Sequence, residues 1–151
     1  MNIAKGYVGS GEKLRKYFAE YVFEGKSRVL FVNDEILQDH ITCFGYLDSI
    51  RQTKDYKETD DTLEGLLEFA ELDKNANVGS LSVGERNRLL LTGVVFLRAK
   101  DYVLCGLYEG VTLEDAEILD QILTELSLSG NLHIGYMGEP STDICDEIIF
   151  L

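Results

Sequence analysis

Residues 6–13 read GYVGSGEK, close to the pattern GxxxxGK[ST]. In that pattern backbone N–H groups cradle phosphates, the lysine reaches the β- and γ-phosphates, and the hydroxyl binds Mg²⁺. Gly6, Gly9 and Gly11 are in place and suit a tight turn from a strand into a helix. The two positions that carry the chemistry hold Glu12 and Lys13 instead. A carboxylate beside a triphosphate is strongly repulsive at a moderate dielectric, while a helix N-terminus stabilises an anion of its own. Lys13 leaves the helix about 100° round and about 1.5 Å along from the usual lysine, so its stem must curl back to reach the same phosphates. The loop is expected to be a retained turn emptied of its ligand.

A second pair with chemical potential is Ser82 and Glu85. Their S-x-x-E spacing makes a capping box, and a serine at a helix N-terminus also offers a hydroxyl and backbone N–H groups to an anion. The capping role alone accounts for both residues. Cys43, Cys105 and Cys145 are an odd number without a CxxC pair, and His40 and His133 lack metal-ligand spacing, so reduced, mostly buried side chains and no metal are expected.

The elements that must hold these residues alternate. Leu14, Tyr17, Phe18, Tyr21 and Val22 follow helical spacing after the glycines, with Gly25 as a stop. RVLFVN (28–33) reads as a strand and ITCFGYL (41–47) as another, followed by a polar loop or solvated stretch, DSIRQTKDYKETD. Asp61 and Glu64 have capping-box spacing ahead of a helix running to about Leu72. The Ser82 box opens a helix apolar on several sides, YVLCGL (102–107) is a strand, and Thr112 with Asp115 caps a further helix that Gly130 closes. LHIGYM and EIIFL complete the set. Such alternation predicts an α/β fold with a mainly parallel sheet flanked by helices on both faces.

At 151 residues, 45% hydrophobic and 27% charged, the chain is expected to form a single domain, 1–151. Fourteen basic against 27 acidic residues give a net charge of −13, which disfavours nucleic acid and anionic lipid surfaces. No signal-peptide core and no apolar stretch of about 20 residues is present, so the protein is expected in the cytoplasm.

The order of these pieces resembles the nucleotide-binding domain of ABC-type ATPases over nearly the whole chain, in a shortened and degenerate form with a P-loop NTPase-like core. Leu81, Ser82, Val83, Gly84 and Glu85 are similar to the family signature LSGGQ, with Val83 replacing the first glycine; Arg86, Asn87 and Arg88 resemble the basic-polar-basic segment after it. YVLCGLYEGVT is similar to the strand and DEPTxxLD segment, and CDEIIFL to the last core strand.

In the family a loop lysine, a metal-binding hydroxyl, an aspartate and a glutamate do the chemistry. The matching positions here are Glu12, Lys13, Cys105 and Gly106, and neither a neutral thiol nor a glycine serves Mg²⁺. The switch histidine falls on Tyr136, or with a shorter loop on Gly138 or Glu139, whereas His133 lies too early, inside the strand. Asp48 stands where the family has its loop glutamine, with Gln52 as a displaced version. The segment at about 48–80 is short for the helical subdomain, and the adenine-stacking aromatic and its preceding strands are expected to be missing.

The resemblance thus implies a catalytically inactive subunit that pairs with or regulates an intact ABC ATPase or a second copy, lending Ser82, Gly84 and Glu85 to the partner's ATP site. It implies no resident cofactor, with ATP and Mg²⁺ bound only weakly or through the partner, and a membrane reached only indirectly through a permease. Two other readings stay open. One is an atypical ATPase using Lys13; the other is an interaction module that kept the fold and lost the nucleotide.

Overall fold

The computed structural model of the chain describes residues 2–20 and 27–151. Among these residues five strands form one sheet: β1 (Ala4–Val8), β2 (Ser27–Phe31), β3 (Asp101–Cys105), β4 (Asn131–Tyr136) and β5 (Glu147–Phe150). Their order is β2-β3-β4-β1-β5 and every neighbouring pair is parallel. All of β3 is buried, as expected of a strand with helices above and below it.

The helices divide unequally between the faces. On one, α1 (Gly11–Glu20) lays Leu14 and Phe18 against Tyr7, Val103 and Cys105. On the other, α2 (Cys43–Arg51), α3 (Asp60–Phe69), α4 (Val83–Val95) and α5 (Leu113–Leu126) build the larger core, in which Leu47, Leu63, Leu89, Leu119 and Ile134 are fully covered. The α/β architecture with a parallel sheet covered on both sides is therefore as predicted.

Two of the three expected capping boxes form where the sequence placed them. Ser82 Oγ accepts from the Glu85 N–H at 3.2 Å while Glu85 Oε1 accepts from the Ser82 N–H at 3.0 Å. Thr112 and Asp115 repeat the arrangement at α5. From Asn87 to Gly93 every residue of α4 is buried, because the helix packs against α2, α3 and α5 and its leucines share one core with sheet residues.

Several boundaries differ from the prediction. ITCFGYL is not a strand: Thr42 Oγ1 accepts from the Gly45 N–H at 3.0 Å and starts α2, which continues through Arg51 into the stretch read as loop. Two α2 amides are held from outside, Cys43 N–H by the Ala76 carbonyl and Phe44 N–H by the Lys74 carbonyl. The cap of α3 is Thr59, not Asp61, and α3 ends at Phe69 rather than near Leu72.

That ending has a cause. Glu71 adopts a left-handed backbone (φ 55°), its N–H donates to the Glu68 carbonyl, and the Leu72 N–H donates to the Leu67 carbonyl, the two bonds of a Schellman stop. RVLFVN is also cut short, since Val32–Asp34 form a 3₁₀ turn. Tyr21, Val22 and Gly25 lie outside the described residues.

Candidate functional site

The chain leaves β1 for the far edge strand β2, and later crosses from β4 over β1 to β5. Such a change of direction opens a crevice at the carboxyl ends of the strands, where open α/β sheets bind ligands. Here that crevice is filled. About 60 Å³ remains among Gly11, Leu14, Phe31, Cys105, Gly106 and Met137, against the roughly 300–1,000 Å³ of a small-molecule site. Leu14 and Cys105 close over Gly135, where a Cβ would lie 2.5 Å from Cys105 Sγ and 3.2 Å from Leu14 Cδ2.

The loop itself is short. Gly6 lies inside β1, paired with Ile134 and Ile148, and a Cβ there would be 2.8 Å from Ile148 Cδ1. Only Gly9 and Ser10 connect β1 to α1. Among the described glycines a positive φ occurs at Gly106 and Gly110, and not at Gly6, Gly9 or Gly11, so this turn makes no use of glycine's left-handed freedom. Ser10 begins the helix: its Oγ accepts from the Lys13 N–H at 3.2 Å and its carbonyl from the Leu14 N–H.

Glu12 and Lys13 are both exposed in the first turn of α1. Beside the crevice Arg15 grips Asp34 with two hydrogen bonds, 2.7 and 2.6 Å, and lies 4.8 Å from the centre of the Phe31 ring. The Arg15 guanidinium holds the Asp34 carboxyl below its ordinary range.

Cys105 and Gly106 do packing and backbone work. Burial pushes the Cys105 thiol up to about 12, so it is a neutral group at physiological pH. Gly106 has φ +88°, the left-handed region that favours glycine. Tyr136 is buried, with its hydroxyl 3.5 Å from Cys145 Sγ, and Gly138 and Glu139 are exposed. His133 is buried in β4, Nε2 to Asp101 Oδ1 3.1 Å, with the Tyr7 hydroxyl 3.4 Å from Nδ1. Asp48 accepts from Arg51 at 2.7 Å and from Gln52 at 3.0 Å, so these three engage one another. Among the described residues no group of three or more His, Cys, Asp or Glu could hold a metal ion.

The signature-like segment has a different character. Leu81 is half-buried, while Ser82 and Val83 open to solvent, Val83 by 54%. Gly84 is buried because α5 crosses it: a Cβ there would stand 1.9 Å from Asp115 Oδ2. The next three side chains tie the α4 start to three neighbours. Arg86 donates to the Glu35 carbonyl (2.6 Å), Asn87 to the Leu107 carbonyl (2.8 Å), and Arg88 to the Ala70 carbonyl (2.8 Å). Arg88 also pairs with Asp115, 3.3 Å apart. Sequence reasoning placed Asp115 in its box but missed this pair; 27 residues separate the partners (115 minus 88) and no periodicity links them.

No protein-family model matches the chain, and no curated protein matches it by sequence. Solved structures do. An ABC transporter ATP-binding protein from Pyrococcus furiosus superimposes with a TM-score of 0.79 at 22% identity, over 99% of this chain and 84% of that one. A dimeric ATP-binding cassette in a post-hydrolysis state with ADP and Pi gives 0.77 at 12% identity, over 99% and 81%. This is the ABC ATPase fold. An inward-facing metal-chelate type ABC transporter matches more loosely, 0.62 at 12% identity over 89% of this chain and 62% of that one. At these identities the likeness concerns the fold; what the ABC-type sheet carries at its carboxyl ends is this chain's own. Among the described residues no helix is long and apolar enough to cross a membrane.

Proposed function

We propose that the chain is a catalytically inactive ABC ATPase-like subunit, a single domain spanning 1–151, that pairs with or regulates an intact ABC ATPase. The observation that carries this is the filled crevice: Leu14 and Cys105 line the small space left at the strand ends, and Glu12 and Lys13 are exposed to solvent and do not line it. With Cys105 and Gly106 at the aspartate and glutamate positions, no side chain there organises Mg²⁺ or polarises a water. The subunit works without a resident nucleotide.

The surface it offers a partner is the α4 start. Exposed Ser82 and Val83 stand at a helix N-terminus whose base is fixed by Arg86, Asn87 and Arg88, so a rigid end faces outward. The dimeric neighbour is itself a pair of such cassettes, which supports a partner of the same fold, an intact ABC ATPase or a second copy.

A second reading has its own support. Glu85 is engaged in the box, Arg86 in a surface contact and Asn87 and Arg88 in buried ones, so a structural role accounts for the segment, which suits an interaction module without a nucleotide role. To test between them, the complex captured from the source cells would be assayed for ATP turnover with the native chain and with Ser82→Ala. The proposal expects turnover to fall in the variant while the complex persists. Unchanged turnover would assign the chain to the second reading, and absence of any ATPase from the complex would contradict the first.

A further inference from the structure

At the amino ends of β2 and β3, remote from the filled crevice, a cleft of about 650 Å³ opens between Arg28, Lys54, Tyr56, Glu58, Leu97 and Arg98. That volume falls in the range of small-molecule sites, roughly 300–1,000 Å³. Its polar groups are unevenly satisfied. Lys54 donates to Glu58 Oε1 at 2.6 Å and to the Phe96 carbonyl at 2.7 Å, and lies 4.0 Å from the Phe96 ring centre. Burial is the largest single influence on Glu58 and works against its charge, but the Lys54 hydrogen bond, the backbone and the nearby Lys54 and Arg51 charges together outweigh it and keep the carboxyl below its ordinary range. Glu58 is thus an anion with two accepting oxygens.

Only one of those oxygens is used. Among the described residues Glu58 Oε2 is buried without a partner, and so is Arg28 Nε, whose N–H can only donate. Each such atom is costly to leave unmet in the interior. Arg98 has no hydrogen-bond or ion-pair partner among the described residues, although the chain carries 27 acidic side chains. The same cleft therefore holds an unmet donor with a second guanidinium beside it, an unmet acceptor, and an aromatic ring, Tyr56, that is 78% exposed.

We infer that this cleft binds a small organic oxyanion that also carries a hydroxyl or ammonium donor. Its carboxylate or phosphate oxygens accept from Arg28 and Arg98, its donor meets Glu58 Oε2, and its carbon skeleton lies against Tyr56 and Leu97. Guanidinium groups suit either kind of oxyanion, through paired charge-assisted hydrogen bonds.

The test is an amide NMR titration of the full chain with malate, succinate, ribose 5-phosphate and inorganic phosphate. Malate against succinate isolates the hydroxyl, and the two phosphates separate a phosphorylated metabolite from the free ion. The inference expects malate or ribose 5-phosphate to shift amides of 53–58 and 97–98 and leave 9–15 unmoved, with succinate and inorganic phosphate weaker. Arg98→Ala, an exposed and unpartnered site, should weaken binding roughly tenfold; Glu58→Gln should erase the preference for malate over succinate; Lys13→Ala should change nothing. No shift at these amides with any probe, or shifts indifferent to Arg98→Ala, would overturn it.

Discussion

Arg88 on α4 and Asp115 on α5 form an ion pair, Nη2 to Oδ1 3.3 Å, with their side chains only 8% and 13% exposed. The same carboxylate closes the Thr112 box and lies where a Gly84 Cβ would be, so one side chain fixes the crossing of the two helices. Removing it strands a buried guanidinium, which typically costs about 3–5 kcal/mol, and loses the carboxylate half of the capping box, while the Thr112 cap on the 115 backbone N–H remains. Asp115→Ala should therefore lower unfolding stability by at least about 3 kcal/mol in a urea titration. A loss below about 1 kcal/mol, the worth of a cap alone, would show that the pair contributes nothing.

Glu71 holds a left-handed conformation that glycine adopts without strain. Glu71→Gly should stabilise the chain by about 1 kcal/mol, read as a higher denaturation midpoint at unchanged slope. The Glu71 carbonyl that Arg88 reaches at 3.2 Å is backbone and survives the change. A lower midpoint would mean that the glutamate side chain contributes more than its backbone strain costs.

These positions also show what the sequence could and could not disclose. Ser82 and Thr112 were legible because a box is a local pattern, with the cap and its N3 partner three residues apart. Gly106 and Cys105 were located by register, and a left-handed backbone at Gly106 and burial at Cys105 then explained them. The α2 helix was hidden because ITCFGYL is rich in aromatic and β-branched residues that also favour strands, although Cys43, Leu47 and Ile50 lie on one helical face below Thr42. The end of α3 carried no glycine to announce it. Least legible was the crevice: that Leu14 and Cys105 meet above Gly135 depends on three separate elements, and no spacing along the chain encodes it.

Two buried thiols give a pH signature. Burial pushes Cys105 up to about 12 and Cys43 up to about 11. In the unfolded chain a thiol ionises near pH 8.5, so their contribution is fully present below that pH and is lost as pH rises towards the folded values. Stability should fall between about pH 8.5 and 10, by up to about 1.4 kcal/mol per unit for each thiol. Cys105→Val should flatten the slope; a variant as steep as the native chain would refute the assignment.

Restoring the motif letters should not restore the site. In Glu12→Lys with Lys13→Thr the crevice still holds Leu14 and Cys105, and the β1 to α1 connection is still Gly9 and Ser10. Equilibrium dialysis with labelled ATP should find no saturable binding by the double variant at about 1 mM. Saturable binding would mean that two side chains alone had closed the site.

The most direct measurement is calorimetry of the native isolated chain with ATP and Mg²⁺. The filled crevice predicts no heat of binding up to about 1 mM nucleotide. Saturable binding that Lys13→Ala abolishes would contradict the account and return Lys13 to a working phosphate loop.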